Sequence, residues 1–309
     1  MANTITLASS IAFAQAFAGF RGLTLGTNSE PAITIANIIL QTILSPPFTW
    51  NWNRASTTFL TTAGVQDYAE TLSTFGFLEK ASYIPAANIT NTALASNVAT
   101  YTAANDFSAG DNVTVTGCSD STFNITNQAI VAATSTQFTV AITHADIGSA
   151  AMVGTAVAGK QTEMQVRNIL GDSSDSDTGA PTLASAAIDD NAGSITFRLL
   201  PVPDDVYQIK VTFQKRIPAL ISSTSGTWAP IPDHYSYIYQ WGFLALTAQY
   251  VNDARYPQFN QKFVAELLGA AEGLTEEQKN IFQALWLSSV SEQQLSALRS
   301  QQGTQARGA

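Results

Sequence analysis

Apolar positions at helical spacing dominate the two ends of the chain, and short alternating runs fill its middle. Near the start, Ile5, Ala8, Ala12, Gln15 and Ala16 share a face and predict a helix over residues 4–20. A second helix opens at a Ser29 cap, with Glu30 and Pro31 in its first turn. It carries Ile33, Ala36, Asn37, Leu40, Ile43 and Leu44 at intervals of three and four. Ser45-Pro46-Pro47 ends it, because proline lacks the amide donor and drives the preceding residue out of helical geometry. In the last third, Pro232-Asp233 starts a helix carrying Tyr235, Ile238, Tyr239, Trp241, Leu246 and Tyr250. Another follows over about 255–269, with Phe259, Phe263, Val264 and Leu267 on one stripe. Thr275 and Gln278 make a capping box for a third, with Ile281, Phe282, Leu285 and Trp286, and Ser291 with Gln294 repeats the signal.

Between these ends the period changes to two. Phe48-Thr-Trp50-Asn-Trp52-Asn-Arg54 alternates like a strand, and Thr57–Thr61, Val65–Tyr68 and Phe77–Ile84 read as further, looser β-like runs. Further β-like runs occupy Val98–Thr102, Asn112–Thr116, Gln128–Ala132, Gln137–Ala141 and Met164–Val166. Ser194–Leu200 and Tyr207–Phe213 alternate well and predict a hairpin across Pro201-Val-Pro203-Asp-Asp.

These patterns predict an α+β fold. It is a helical bundle of N-terminal and C-terminal helices, with an antiparallel β part and an inserted small all-β domain. No Lys or Arg occurs from Ala81 to Gly159, a stretch rich in Ala, Thr, Val and Asn. That shift of composition sets the domains: a core of residues 1–84 and 161–290, an inserted β domain over 85–160, and a polar, Gln-rich flexible tail over 291–309.

Composition narrows the function. The 309 residues are 45% apolar and only 12% charged, and the latter is about half the share usual for a soluble domain. So few charges suit a surface largely buried against partners. A net charge of -9 argues against broad binding to nucleic-acid phosphates, which needs Lys and Arg. A single cysteine, Cys118, precludes an intrachain disulfide. The apolar patches of Met1–Phe20 follow no basic region and are broken by Ser9, Ser10 and Gln15, so they predict neither a signal peptide nor a membrane span.

Candidate chemistry is sparse. His144 and His234 are the two histidines, and neither sits in a metal-ligand spacing. No nucleophile elbow, Walker loop or dinucleotide fingerprint occurs. Asp172, Asp175 and Asp177 alternate with serines as calcium ligands can, but no bidentate Glu closes the loop, and a solvated loop explains them better. A cell-wall hydrolase needs a carboxylate pair in a cleft. Asp204, Asp205 and Asp233 are available, each in turn or cap context. Trp50, Trp52, Trp241 and Trp286 suit packing better than stacking on bases, since only Arg54 lies near in sequence. The chain is therefore expected to be non-enzymatic, with no cofactor and no metal.

Several segments, in order, carry a resemblance. They are Trp50-Asn-Trp52, then Thr58-Phe-Leu-Thr-Thr-Ala-Gly64-Val-Gln66-Asp-Tyr68, then Ile195-Thr-Phe-Arg-Leu-Leu-Pro201-Val-Pro203. Tyr207-Gln-Ile-Lys-Val-Thr-Phe213-Gln-Lys, Pro232-Asp-His-Tyr235 and Asp253-Ala-Arg-Tyr256 follow. Over about residues 30–270, apart from the insertion, the chain resembles the head-to-tail adaptor (connector, or neck) proteins of tailed bacteriophages, including the tail tubular protein A type. The resemblance implies a structural virion protein made in the host cytoplasm. It implies one subunit of a twelve-membered ring that docks to the portal protein and to a tail tube or nozzle protein. DNA would pass its channel without sequence-specific binding, and no membrane is involved. It also implies a terminal tail that reaches a neighbouring ring, and Leu295, Leu298, Arg299, Gln301 and Gln302 are the candidate docking residues. The alternative is a tail-fibre or other surface-binding virion protein, which the Thr-rich β insertion favours.

Overall fold

The computed structural model describes residues 5–20, 30–167, 177–188, 193–216, 221–223, 225–228 and 231–286. These divide into two units, one formed by the residues up to Arg54 and from Gln214 onward, the other by Ala55–Phe213.

The first unit is helical: α1 (Leu7–Ala18), α2 (Ala32–Leu44), α3 (Ser236–Tyr250), α4 (Tyr256–Ala270) and α5 (276–286). Thr6 caps α1 in a reciprocal box with Ser9, and Gly19 closes it with φ 70, in the left-handed region glycine tolerates. On α2, Ile35, Ile39, Leu40 and Ile43 face a core shared with Ile238, Tyr239, Phe243 and Leu244 of α3 and Phe263 and Leu267 of α4. Gly242 is where α3 meets both neighbours. A Cβ there would stand 2.9 Å from the Phe263 ring and 3.0 Å from Ile39. Trp228, fully buried, stacks on Tyr239 at 4.5 Å and donates its indole N–H to the Ser10 hydroxyl. The Thr275–Gln278 box is present at the start of α5. The expected Ser29 cap and the helical piece from Ser291 lie outside the described residues.

The second unit is β throughout. Its strands are β1 (Arg54–Leu60), β2 (Asp67–Thr71), β3 (Phe75–Ala95), β4 (Val98–Thr102), β5 (Asn112–Thr116) and β6 (Ile125–Thr134). They continue with β7 (Gln137–Ala141), β8 (Ile147–Ala158), β9 (Thr162–Val166), β10 (Leu183–Ile188), β11 (Ser194–Leu200) and β12 (Tyr207–Lys215). The second half of β3 pairs with β4 on one side and β8 on the other. The order β3-β4-β7-β6-β5-β8 then returns to β3, a closed barrel of six antiparallel strands. Closure removes both sheet edges. Inside it, Tyr101 stacks on Phe138 at 4.8 Å and donates its hydroxyl to the Phe123 carbonyl. Ser96 and Asn97, with φ 54 and 63, make the two-residue turn from β3 to β4, the left-handed pair that a tight hairpin requires.

The first half of β3 belongs to a different layer, ordered β1-β12-β3-β9-β10-β11-β2. Among the described pairings of this layer, β9–β10 is parallel, and β10–β11, β11–β2 and β3–β9 are antiparallel. The layer curls until its outer strands touch. Phe59 of β1 stacks on Tyr68 of β2 at 5.2 Å and on Phe197 of β11 at 5.6 Å, over a core of Phe75, Ile195, Ile209, Val211 and Phe213.

The helical bundle with a lesser β part, expected from patterning, is therefore not the fold. The described residues are mostly β, with twelve strands, a closed barrel and only five α-helices. Three causes explain the difference. Amphipathic helices announce themselves over long windows, whereas β3 changes layer partway and loses any period of two. The strands β8 and β10 are rich in Ala, with two Gly in β8, and carry little pattern. And β11 does not form a hairpin with β12: it lies between β10 and β2, while β12 lies between β1 and β3. Pro201 and Pro203 offer no amides to close such a hairpin, and the Val202 amide is given to the Asp177 carbonyl instead. The Trp50–Asn53 alternation likewise ends as a single 3₁₀ turn, Asn51–Asn53.

Candidate assembly surfaces

The ionisable residues are used locally. Among the described residues no three His, Cys, Asp or Glu side chains gather as a metal site would require. His144 sits on the barrel exterior with Nδ1 2.9 Å from the Ala145 carbonyl, and His234 lies in a 3₁₀ turn with its ring against Tyr235. Cys118 is buried in the barrel, and burial with the nearby Asp120 carboxylate raises its thiol pKa. Asp204 accepts the Tyr207 hydroxyl at 2.8 Å, and burial followed by that carboxylate pushes the phenol upward. The Asp205 carboxylate accepts the Val206 amide, and Asp233 opens the 3₁₀ turn before α3. Asp172 and Asp175 lie outside the described residues. Asp177 is in place and joins Val202 through its backbone carbonyl.

Two ion pairs have good geometry. Arg198 grips Asp67 through two parallel bonds of 2.8 Å between β11 and β2, and the first of these holds the Asp67 carboxyl below its usual range. Asp253 accepts from the Arg255 side chain and amide, which hold its carboxyl at about 2. Arg255 also donates to the Ala18 carbonyl at the end of α1 and lies over the rings of Phe20 and Phe259.

The tryptophans serve packing. Trp50 is 1% exposed and donates to the Ile43 carbonyl. Its backbone is matched at both polar atoms by the side chain of Gln214, which is 0% exposed. Trp52 stacks on Trp50, Trp241 meets Phe17 and Phe259, and Trp286 packs edge-on against Phe263.

The helical unit leaves several large apolar side chains outside. On α5, Phe282 and Trp286 turn toward Phe48 and Phe263, while Ile281 and Leu285 stay 53% and 63% exposed. Sequence reasoning put all four on one helix without separating the faces. The offset of the two i,i+4 pairs by one residue was the available signal. Between α2 and α3 an open groove of about 520 Å³ is lined by Glu30, Pro31, Ile35, Ile38, Leu246 and Tyr250. Phe17 projects from α1. The candidate docking residues Leu295, Leu298, Arg299, Gln301 and Gln302 lie outside the described residues, beyond the last described residue of α5. No described helix is long and apolar enough to cross a membrane.

Across residues 41–284, well over half its length, the chain matches a family described as SU10 adaptor protein. No curated protein sequence matches it.

Proposed function

The chain belongs to the SU10 adaptor protein family, and on that premise we propose that it is a subunit of the ring joining portal to tail in a tailed phage. Membership makes it a phage adaptor, a structural component of the virion. Twelve copies, of the tail tubular protein A kind, close around a channel in the phage neck. The portal protein docks on one side and a tail tube or nozzle protein on the other. DNA slides through a lumen whose acidic balance discourages phosphate binding. No cofactor is needed.

The family match over residues 41–284 carries this reading. The low charged fraction and the aliphatic side chains left outside on α5 support it, since ring contacts bury such surface. The tail beyond α5 docks to the portal, with Leu295 and Leu298 as apolar anchors and Arg299, Gln301 and Gln302 as polar partners. Ordering it costs about 1–2 kcal/mol per residue, so the contacts must return at least that.

Imaging of the assembled particle tests the proposal. Twelve copies between capsid and tail are expected, and three copies at a fibre tip would refute it. Removing residues 291–309 is expected to abolish portal binding in a pull-down, and unchanged binding would discard the docking role of the tail.

A further inference from the structure

We infer that residues 86–158 are a self-contained folding cassette, grafted between Pro85 and Gly159, that takes no part in the contacts holding the assembly together; the second half of this claim rests on the adaptor reading above.

The apolar cores show the independence. Every buried residue of the barrel core lies between Ala87 and Ala158, and every residue of the neighbouring curled layer's core lies at or before Tyr83 or from Met164 onward. The two cores share no side chain. The joint is narrow. Ala86 pairs with Val157, so the cassette begins and ends on adjacent strands, and a Cβ placed on Gly159 would lie 3.8 Å from the Pro85 ring. The Ala86 amide donates to the Val206 carbonyl just outside.

The cut ends suit direct closure. Below the barrel β3 and β9 remain paired, with Tyr83 opposite Thr162. Joining Pro85 to Gly159 leaves Ile84, Pro85, Gly159, Lys160 and Gln161 as the connection, a length common in hairpins. Proline followed by glycine suits a type II turn, and Gly159 already has φ 92, near the value that turn requires.

The exterior of the cassette lacks the residues that anchor strong interfaces. Those anchors are mostly aromatic side chains, Met and Arg. Here Tyr101, Phe107, Phe123, Phe138 and Met152 are all buried, and the cassette has no Arg or Lys. Val131 and Val153 are its exposed large apolar residues. Three of its carboxylates, Asp111, Asp120 and Asp146, cap the backbone amides of Ser108, Thr122 and Ser96. That exterior is also low in charge, and it offers a partner no aromatic, Met or Arg anchor.

The test deletes residues 86–158 from the full chain and compares both proteins by calorimetry, circular dichroism and copy number in the portal-bound assembly. The shortened protein is expected to melt cooperatively and to assemble with the same copy number. In the full chain, Phe138→Ala is expected to lower one of two transitions by about 10 °C or more and leave the other in place. A deletion protein that does not fold, a Phe138→Ala chain that loses its whole structure in one step, or a folded deletion protein that fails to assemble where the full chain succeeds would each overturn the inference. Should the full chain itself not assemble, the ring proposal fails, and the folding measurements still decide whether the cassette stands alone.

Discussion

Replacing Gly242 by alanine should destabilise the protein, although the same change in an open helical site stabilises. Within a helix, alanine is favoured over glycine by about 1 kcal/mol. Gly269, near the end of α4, has nothing within 4 Å of an added Cβ, so Gly269→Ala keeps about 0.5–1 kcal/mol of that gain. At Gly242 the added methyl meets the Phe263 ring at 2.9 and 3.1 Å and the Ile39 methyl at 3.0 Å. Neither neighbour is a free end. Ile39 is 0% and Phe263 4% exposed, and the ring is backed by Trp286. Restoring ordinary contact needs several tenths of an ångström of movement on two sides, an overpacking of about 1–3 kcal/mol. The net change for Gly242→Ala is then a loss of about 1 kcal/mol, and Gly242→Val, bulkier and β-branched, loses about 3 kcal/mol. Urea unfolding of the three variants followed by circular dichroism at the helix band reads the series. The opposite signs of the two alanine variants are the decisive feature. If Gly242→Ala stabilised as much as Gly269→Ala, the close approach of α2, α3 and α4 at this residue would be wrong.

Gln214→Leu strands the amide of buried Trp50, whose carbonyl keeps the Asn53 amide, and a loss of about 1–3 kcal/mol in urea midpoint analysis is expected; a change under about 0.5 kcal/mol would discount the pairing. Asp253 has a folded-state pKa below its ordinary 3.8, at about 2, so its contribution is complete above pH 4 and disappears as pH falls toward 2. The stability gap between the native chain and Asp253→Asn should therefore close over that window in acid titrations, and a gap that persists at pH 2 contradicts the assignment. Ile281→Asp with Leu285→Asp should leave the melting temperature of the free subunit nearly unchanged, because both side chains point outward, yet weaken assembly measured by sedimentation.

The helices were legible because their cores repeat over long windows. Ala36, Leu40, Ile43 and Leu44 on α2, or Phe259, Phe263 and Leu267 on α4, announce a face without help from distant residues, whereas α1 buries Leu7, Ile11 and Ala14 and not the expected face of Ala8, Ala12 and Ala16. Most strands of the β unit were legible one by one, β8 and β10 excepted, but not as a layer. β11 and β12 read clearly, yet their partners are β10, β2, β1 and β3, fixed by proline positions and crossing connections that no local pattern encodes. The first half of β3 was read as Phe77–Ile84, but its continuation to Ala95 was hidden, because the 21 residues serve a curled layer and then a barrel, with partners on both sides. The absence of Lys and Arg marked the barrel segment by composition, whereas its closure depends on β8, whose Ala-rich sequence carries little alternation. Of the candidate assembly surface, the aromatic anchors of α5 were visible, and which aliphatic pair faces away was not.

The core of the helical unit joins residues before Trp50 to residues after Ile221. On a ribosome that interval sets a delay. At about 5–20 residues per second, α2 is made roughly 10–40 s before α3. Throughout that time Ile35, Ile39, Leu40 and Ile43 lack their partners on α3 and α4, with only α1 and Trp50 of the core already made. The nascent chain thus carries a bare aliphatic helix, a natural substrate for a chaperone, and its yield should respond more to holdase supply than to the stability of the finished molecule.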